Sequence, residues 1–453
     1  MKLKLDAIRA CLDGAIPGTI ATCAADGVPN AAYLSQVQYV DAEHVALSWQ
    51  FFNTTRRNIL ANPVARVALI DPGTAAHYRL LLQYLRTEEE GPLFEIMKAK
   101  LAGIASHTGM AGVFRLLGAD LYRVLEIEQV PGRTLAPPLP RANLLAALRT
   151  SVEELCQCMD LDSLLSRTLD CLERHFDIHH AMILLLDAVA GRLYTVASRG
   201  YEASGIGSEI ALGDGIIGVA ARECTPIRIG HFAAEYSYGK AIRENLERGG
   251  LGVHMDTEIP LPGLAGSNSQ LAVPIRAGTR ALGVLYVESA QEQRFGYDDE
   301  DVLVSLAGGL GAAIQLLHHG PTDAREELRA SPRPTPAAAS PAGPPLQVRH
   351  FAENDSIFID TDYLIKGVAG SILWALLSDH VETGRTAFSN RELRLDPRIR
   401  LPDISDNLEA RLILLARRLI ERNAPIRIEK TTRGCFQLRV ERRLQLAHVP
   451  ASG

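Results

Sequence analysis

Four consecutive side chains, Thr54, Thr55, Arg56 and Arg57, follow an apolar stretch and stand a few residues ahead of Asn62-Pro63. The run "HVALSWQFFNTTRRNILANP" reads as a strand, a cap and a short helix. Asn53, Thr54 or Thr55 can cap the helix start, and Asn62-Pro63 stops it. A helix N-terminus presents free N–H donors and partial positive charge, so anions settle there. Threonine hydroxyls and guanidiniums extend that grip, and arginine holds phosphate bidentately. The chemistry on offer is a phosphate cradle. The same residues also read as a capped helix with two solvated arginines, since surface arginines are common.

A second set lies at the other end of the chain. From Arg391 to Arg443 there are fourteen Lys+Arg against eight Asp+Glu, a balance of +6. The whole chain carries −6, so the remainder carries −12. A basic module on an acidic body is the footprint of a nucleic-acid reader. Within it, Leu408, Leu412, Leu415 and Leu419 form a buried stripe at helical spacing. Arg411 and Arg418 share an opposing face, with Arg417 beside them. A turn carries Lys430, Thr431, Thr432 and Arg433.

A third set is scattered. Cys224, His231, His254 and Glu258 form either a redox or metal constellation or separate loop residues that never meet. Cys156 and Cys158 lie two apart on a helical pattern, so they point to different sides and read as helix thiols rather than a metal site. Seven cysteines, an odd number with no CxxC pair, fit free thiols in a reducing cytoplasm.

Several domains must position these sets. At about 150 residues per domain, 453 residues suggest three. Hydrophobic content is 47 % and charged content 22 %, ordinary for soluble protein. No run approaches the ~18 apolar residues of a membrane span. The N-terminus lacks a signal peptide's continuous apolar segment and cleavage site, so a cytoplasmic protein without a membrane partner is expected. Gly320 to Pro345 holds seven of the 24 prolines and reads as a mobile tether. A softer boundary, Val130 to Asn143, holds four more. The expected domains are 1–132, 140–318 and 347–446, with a Pro/Ala-rich flexible linker over 319–346. The first has short strand runs broken by Asp26-Gly27 and Asp41-Ala-Glu, which suggests a small β-barrel. The second opens on helices, with Asp160 as an N-cap, passes through strands and closes on a helix, an α+β sheet pattern. In the third, helices end in a β-hairpin, the order of a winged helix-turn-helix. The fold class is multidomain α+β.

The first block resembles the pyridoxamine 5'-phosphate oxidase-like family of flavin-binding split β-barrels. The matching pieces are "TIATCAADGVPNAAYLSQVQYV", "LSWQFFNTTRRNILANP" and "VALIDP". In that family the segment matching "NTTRRNILANP" holds the phosphate of FMN. The resemblance therefore makes Thr54, Thr55, Arg56 and Arg57 phosphate-site residues, and Tyr33, Ser35 and Gln50 neighbours of the isoalloxazine ring. It also implies a homodimer. Some members use haem, toward which His77, Tyr78 and His107 would be directed. One departure is "RLLLQYL", which lacks the glycine usual in that strand.

The middle block resembles a GAF domain through "GDGIIGVAARECTPIRIGHF", "LAVPIRAGTRALGVLYVES" and "FGYDDEDVLVSLAGGLGAAIQ". Gly213, Gly215 and Gly218 allow its tight turns. The resemblance implies a small molecule between sheet and covering loops, with Cys224, His231, Tyr236, His254 and Glu258 as candidate contacts. The cyclic-nucleotide set of the family is not intact: Phe295 and Asp298, Asp299 and Glu300 survive, and that acidic run equally caps the last helix.

The last block resembles the winged helix of bacterial response regulators, through "FSNRELR" and "NLEARLILLARRLIERNAPIRIEKTTRGCFQL". The resemblance places the helix Ser405 to Arg422 in the major groove of DNA and assigns Arg411, Arg417, Arg418, Lys430 and Arg433 to DNA contact. Ile413, Leu414 and Ala416 depart from it, because readers of this type carry polar residues there. A helix that apolar also suits burial against a partner domain. The leading reading is a signal-responsive transcriptional regulator, sensing a small molecule or redox state. The alternative is an FMN-dependent oxidoreductase with regulatory appendages, although no acid/base pair stands out in block one.

Overall fold

Turn residues divide the first 130 residues into strands. The computed structural model describes residues 3–12, 16–50, 53–107, 116–136, 143–230, 259–319, 344–399, 401, 408–432 and 434–450. The first domain contains β1 (Gly18–Cys23), β2 (Pro29–Leu34), β3 (Val37–Tyr39), β4 (His44–Trp49), α1 (Asn53–Ala61), β5 (Val64–Ile70), β6 (His77–Glu88), α2 (Pro92–His107) and β7 (Gly118–Val130). The strands form one antiparallel sheet in the order β2-β1-β5-β6-β7-β4-β3. Asp26-Gly27 makes the expected hairpin: Gly27 adopts φ +90° and the Asp26 carboxylate accepts the Val28 N–H at 3.1 Å. Strand β5 alternates exposed and buried residues, the period-two signature of a half-buried strand. Its inward residues join Leu5, Ile8 and Leu12, contributed by a short 3-10 segment, around Ile20, Leu47, Leu80 and Tyr122.

The middle domain contains α3 (Leu144–Cys156), α4 (Leu161–Phe176), β8 (His180–Asp187), β9 (Arg192–Arg199), β10 (Glu209–Ala211), α5 (Gly215–Glu223), β11 (Ile227–Ile229), β12 (Ser269–Ala277), β13 (Arg280–Ser289) and α6 (Tyr297–His319). Asp160 caps α4 as expected, accepting the Ser163 N–H at 2.9 Å. The sheet runs β10-β9-β8-β13-β12-β11. Ile183, Leu185, Val273 and Val287 face α3, α4 and α6, while Met182, Leu184, Val284 and Tyr286 face α5. The turn into α5 needs its glycines. Gly213 adopts φ +88°, and a Cβ on Gly218 would lie 2.3 Å from the Ala211 carbonyl oxygen. By length and composition α6 is apolar enough to cross a membrane; one side of it, with Leu303, Leu306 and Leu310, is buried in the core of the sheet domain.

The C-terminal domain contains β14 (Leu346–Phe351), β15 (Ser356–Ile359), β16 (Asp362–Ile365), α7 (Gly367–Thr383), β17 (Ala387–Ser389), α8 (Asn390–Leu395), α9 (Leu408–Glu421), β18 (Ile426–Thr432), β19 (Cys435–Val440) and β20 (Leu444–Val449). One sheet runs β16-β15-β14-β20 and another β17-β19-β18. Strand β20 lies parallel to β14, Leu346 opposite Leu444, so the domain begins and ends one residue before and three residues after the expected 347–446. The central part of the expected linker, 320–343, lies outside the described residues.

The domains share cores. Tyr297, at the start of α6, is buried among the first domain's core residues. Its hydroxyl lies 3.4 Å from the Leu12 carbonyl oxygen and from the Tyr39 N–H. Beside it Arg9 pairs with Asp301 at 2.8 Å. Leu408, Leu412 and Leu415 of α9 belong to the same continuous core as the middle domain.

Candidate functional site

Helix α1 follows directly on β4 and aims its N-terminus at the β1–β2 hairpin. Ala24, Asp26, Val28, Pro29, Asn30, Thr54, Arg57 and Asn58 line an open groove of about 320 Å³ there. Thr54 and Arg57 are on its rim, with Arg57 Nη2 donating to Thr54 Oγ1 at 3.3 Å. Thr55 points inward and accepts from Asn30 Nδ2 at 2.9 Å. The helix start, Thr54 and Arg57 are therefore presented to an anion, tempered by the Asp26 carboxylate on the same groove.

Arg56 does not join them. Its Nη1 donates to Asp120 Oδ1 at 2.5 Å and its Nη2 to Thr87 Oγ1 at 2.8 Å. The guanidinium stacks 4.3 Å from the Trp49 ring centroid. Burial pushes the Asp120 carboxyl up from its ordinary range, opposed by Thr87 and then Arg56. The expectation that both arginines grip a phosphate is thus corrected: Arg56 is the counter-charge of a buried carboxylate, and Arg57 alone is free to face an anion.

The three residues expected beside a ring are dispersed in exposure. Tyr33 is 78 % exposed on edge strand β2, Ser35 is half-buried, and Gln50 is buried. Gln50 donates weakly to Ser48 Oγ at 3.4 Å and its Oε1 has no partner. Gln36, buried 36 residues into the chain, has neither amide atom paired. Buried unpaired amides are uncommon and costly, which sets Gln36 and Gln50 apart from the paired polar residues around them. The sequence pattern did not single out Gln36, which stands between Ser35 and Val37 with a second glutamine, Gln38, two residues on. His77 is exposed on β6 and Tyr78 half-buried beside it, and nothing is described for the His107 side chain.

In the middle domain, Cys224 ends α5 in a left-handed conformation, φ +54°, with its sulfur 4.0 Å from the Thr279 carbonyl oxygen. His231, Tyr236, His254 and Glu258 lie outside the described residues. The acidic run takes the capping role: the Gly296 N–H donates to Asp299 Oδ2 at 2.9 Å, Arg294 pairs with Asp299, and Arg228 pairs with Glu300 at 2.7 Å. The exposed Cys156 and half-buried Cys158 make no joint site. Glu154, Cys171 and His175 do converge, but Arg174 and Arg167 already bind Glu154, and that positive charge opposes a metal ion. The Arg174 hydrogen bond, with His175, depresses the Glu154 carboxyl to about 2.

The C-terminal arginines are engaged within the chain. Arg411 pairs with Asp187 of β8 at 2.5 Å, and its guanidinium lies 3.9 Å from the Tyr194 ring centroid. Arg417 donates to Asp162 Oδ1 at 2.7 Å, to the Val196 carbonyl at 2.9 Å and to Ser166 Oγ at 3.0 Å. Arg418 is folded back onto the Leu364 carbonyl and Glu421, and burial lowers its pKa. Lys430 sits 3.4 Å from Glu409 and 3.8 Å from Asp160; Arg433 lies outside the described residues. Leu408, Leu412, Leu415 and Leu419 face inward as expected, while Ile413 and Leu414 are also buried. The expectation of a free recognition helix is corrected for this arrangement: α9 is covered on both faces, and its apolar residues were the sign of a domain contact.

Comparison with known proteins fits the geometry of the first two domains. The pyridoxamine 5'-phosphate oxidase model matches residues 5–108, and the GAF domain model matches residues 158–315. The chain carries a pyridoxamine 5'-phosphate oxidase-like domain and a GAF domain. Among solved structures, the GAF domain of an Acinetobacter phosphoenolpyruvate-protein phosphotransferase is 25 % identical, covering 40 % of this chain and 100 % of that one at a TM-score of 0.32. An FMN-binding protein from Syntrophomonas wolfei subsp. wolfei is 14 % identical, covering 28 % and 86 % at a TM-score of 0.24. No curated protein matches the chain. In the oxidase-like domain Thr54, Thr55, Arg56 and Arg57 lie within the matched residues, and in the GAF domain the matched span includes Asp162, Asp187 and Tyr194, the residues that receive α9.

Proposed function

We propose that this protein is a signal-responsive transcriptional regulator whose C-terminal winged helix is the output module and whose GAF domain holds that module in check. The observation that carries the reading is the grip on α9: Arg411 on Asp187, Arg417 on Asp162, with Leu414 packed toward Gly207 of the GAF domain. Two of the charges suited to phosphate contact, Arg411 and Arg417, are neutralised by GAF carboxylates. Undocking restores them, and a GAF ligand that favours the undocked state shifts the population toward DNA binding. A homodimer is the assembly this reading expects.

In the oxidase-like domain the residues suit FMN in part. Thr54, Arg57 and the α1 N-terminus would hold its phosphate, and the unpaired amide atoms of Gln36 and Gln50 would meet the polar edge of its ring. A bound flavin supplies redox chemistry, which makes redox state a second input.

The test is DNA affinity over a salt series, wild type against Asp162→Ala plus Asp187→Ala. The double variant keeps every basic residue and is expected to bind at least about tenfold tighter, with an affinity that falls steeply with salt. Equal affinity, or none in either protein, overturns the reading. The buried Ile413 and Leu414 favour a second one, a C-terminal domain devoted to protein contact, and that result would support it.

A further inference from the structure

Three polar residues stand side by side across the GAF sheet. Glu288 of β13 is directly opposite Gln270 of β12 on one side and His180 of β8 on the other. All three share the face of Met182 and Tyr286, the face that also receives α5. Glu288 is only 3 % exposed. Its Oε1 accepts the Leu264 N–H at 2.9 Å, and its Oε2 accepts the Tyr286 O–H at 3.2 Å. Gln270 is likewise buried and donates to Ser267 Oγ at 3.3 Å. His180 is half-buried, its ring edge-on to Tyr201 at 5.6 Å between centroids.

Charge balance sets Glu288 apart. The other two buried carboxylates among the described residues, Asp120 and Asp299, each face an arginine. Glu288 faces two neutral donors and has no lysine or arginine within ion-pair distance among the described residues. A carboxylate accepts about four hydrogen bonds and is costly to bury without a positive partner. We infer that the Gln270–Glu288–His180 row recognises a ligand bearing a primary ammonium group, which supplies the missing charge to Glu288. An ammonium brings up to three N–H donors to that carboxylate. The aromatic rings of Tyr201 and His180 close one side, where a cation is also stabilised by ring faces. The inference rests on the reading of the GAF domain as a small-molecule sensor.

The experiment is a thermal-shift screen followed by calorimetry on the full chain. The probes are free α-amino acids, putrescine and spermidine, set against N-acetyl amino acids, dicarboxylates and cyclic nucleotides. At least one amine is expected to raise the Tm, its N-acetyl or uncharged counterpart to leave it unmoved, and Glu288→Gln to weaken binding at least tenfold. Glutamine keeps an oxygen for the Leu264 N–H, so the fold is retained while the charge is lost. An amine that binds Glu288→Gln as tightly as wild type overturns the inference. Hits confined to anionic or uncharged probes overturn it while leaving the sensor reading in place. No hit in any class overturns both.

Discussion

Arg411 of α9 and Asp187 of β8, 224 residues apart, meet at 2.5 Å with both side chains largely buried. Removing one partner strands the other charge away from water, which costs about 3 kcal/mol or more. Arg411→Ala and Asp187→Ala should each lower stability, and the double variant should lose much less than the sum. A double-mutant cycle by chemical denaturation is expected to give a coupling of about 1–3 kcal/mol. A coupling near zero would mean that the two domains do not rely on this contact.

The paired arginines of α1 should separate in their effects. Arg56→Ala leaves the Asp120 carboxylate without its counter-charge and should destabilise the first domain by about 2–4 kcal/mol. Arg57→Ala removes an exposed side chain and should change stability by less than about 0.5 kcal/mol. In an FMN titration followed by flavin fluorescence, Arg57→Ala should weaken binding roughly tenfold, the loss of one charge-assisted phosphate contact. Equal FMN affinity in wild type and Arg57→Ala would remove Arg57 from the cradle.

His350 makes the C-terminal domain sensitive to acid. Its Nε2 is 3.0 Å from Asp355, its Nδ1 is 3.0 Å from His448 Nδ1, and its ring stacks on Trp374. Burial depresses its pKa below the ordinary value, outweighing the Asp355 carboxylate, and His448 adds to the depression. The unfolded chain therefore binds a proton at a pH where the native residue remains neutral. Stability is full above about pH 6.5 and falls as pH drops from there toward the depressed native value. Thermal unfolding between pH 7.5 and 5 should show this loss, and His350→Phe, which keeps an aromatic ring over Trp374, should flatten it. An unchanged pH profile in His350→Phe would assign the loss to other groups.

Local chemistry was legible in the sequence; distant partners were not. The Asp26-Gly27 hairpin, the Asp160 cap and the Asn62-Pro63 stop depend on neighbours within a few residues, and each forms as the residue types dictate. The leucine stripe of α9 follows from helical period alone. The inward turn of Arg56 is not legible locally, because its partner, Asp120, comes 64 positions later on a strand whose register the sequence does not reveal. Strand β20 is not legible from its own residues, because its partner β14 lies about a hundred residues earlier and pairs with it in parallel. The row containing Glu288 exists only once three strands are in register. For α9 the clue was present: Ile413 and Leu414 are too apolar for a free helix face, and both are buried, Leu414 beside Gly207 of the GAF domain.

Zero-length carbodiimide crosslinking of the full chain measures the docked state most directly. Lys366 lies 3.4 Å from Glu209 and Lys430 lies 3.8 Å from Asp160, both pairs bridging the C-terminal and GAF domains. Wild-type protein should yield both crosslinks within one chain, and Arg411→Ala plus Arg417→Ala should lose them while keeping crosslinks internal to each domain. Absence of both from folded wild-type protein, or their persistence in the double variant, would contradict a C-terminal domain held on the GAF domain by its arginines.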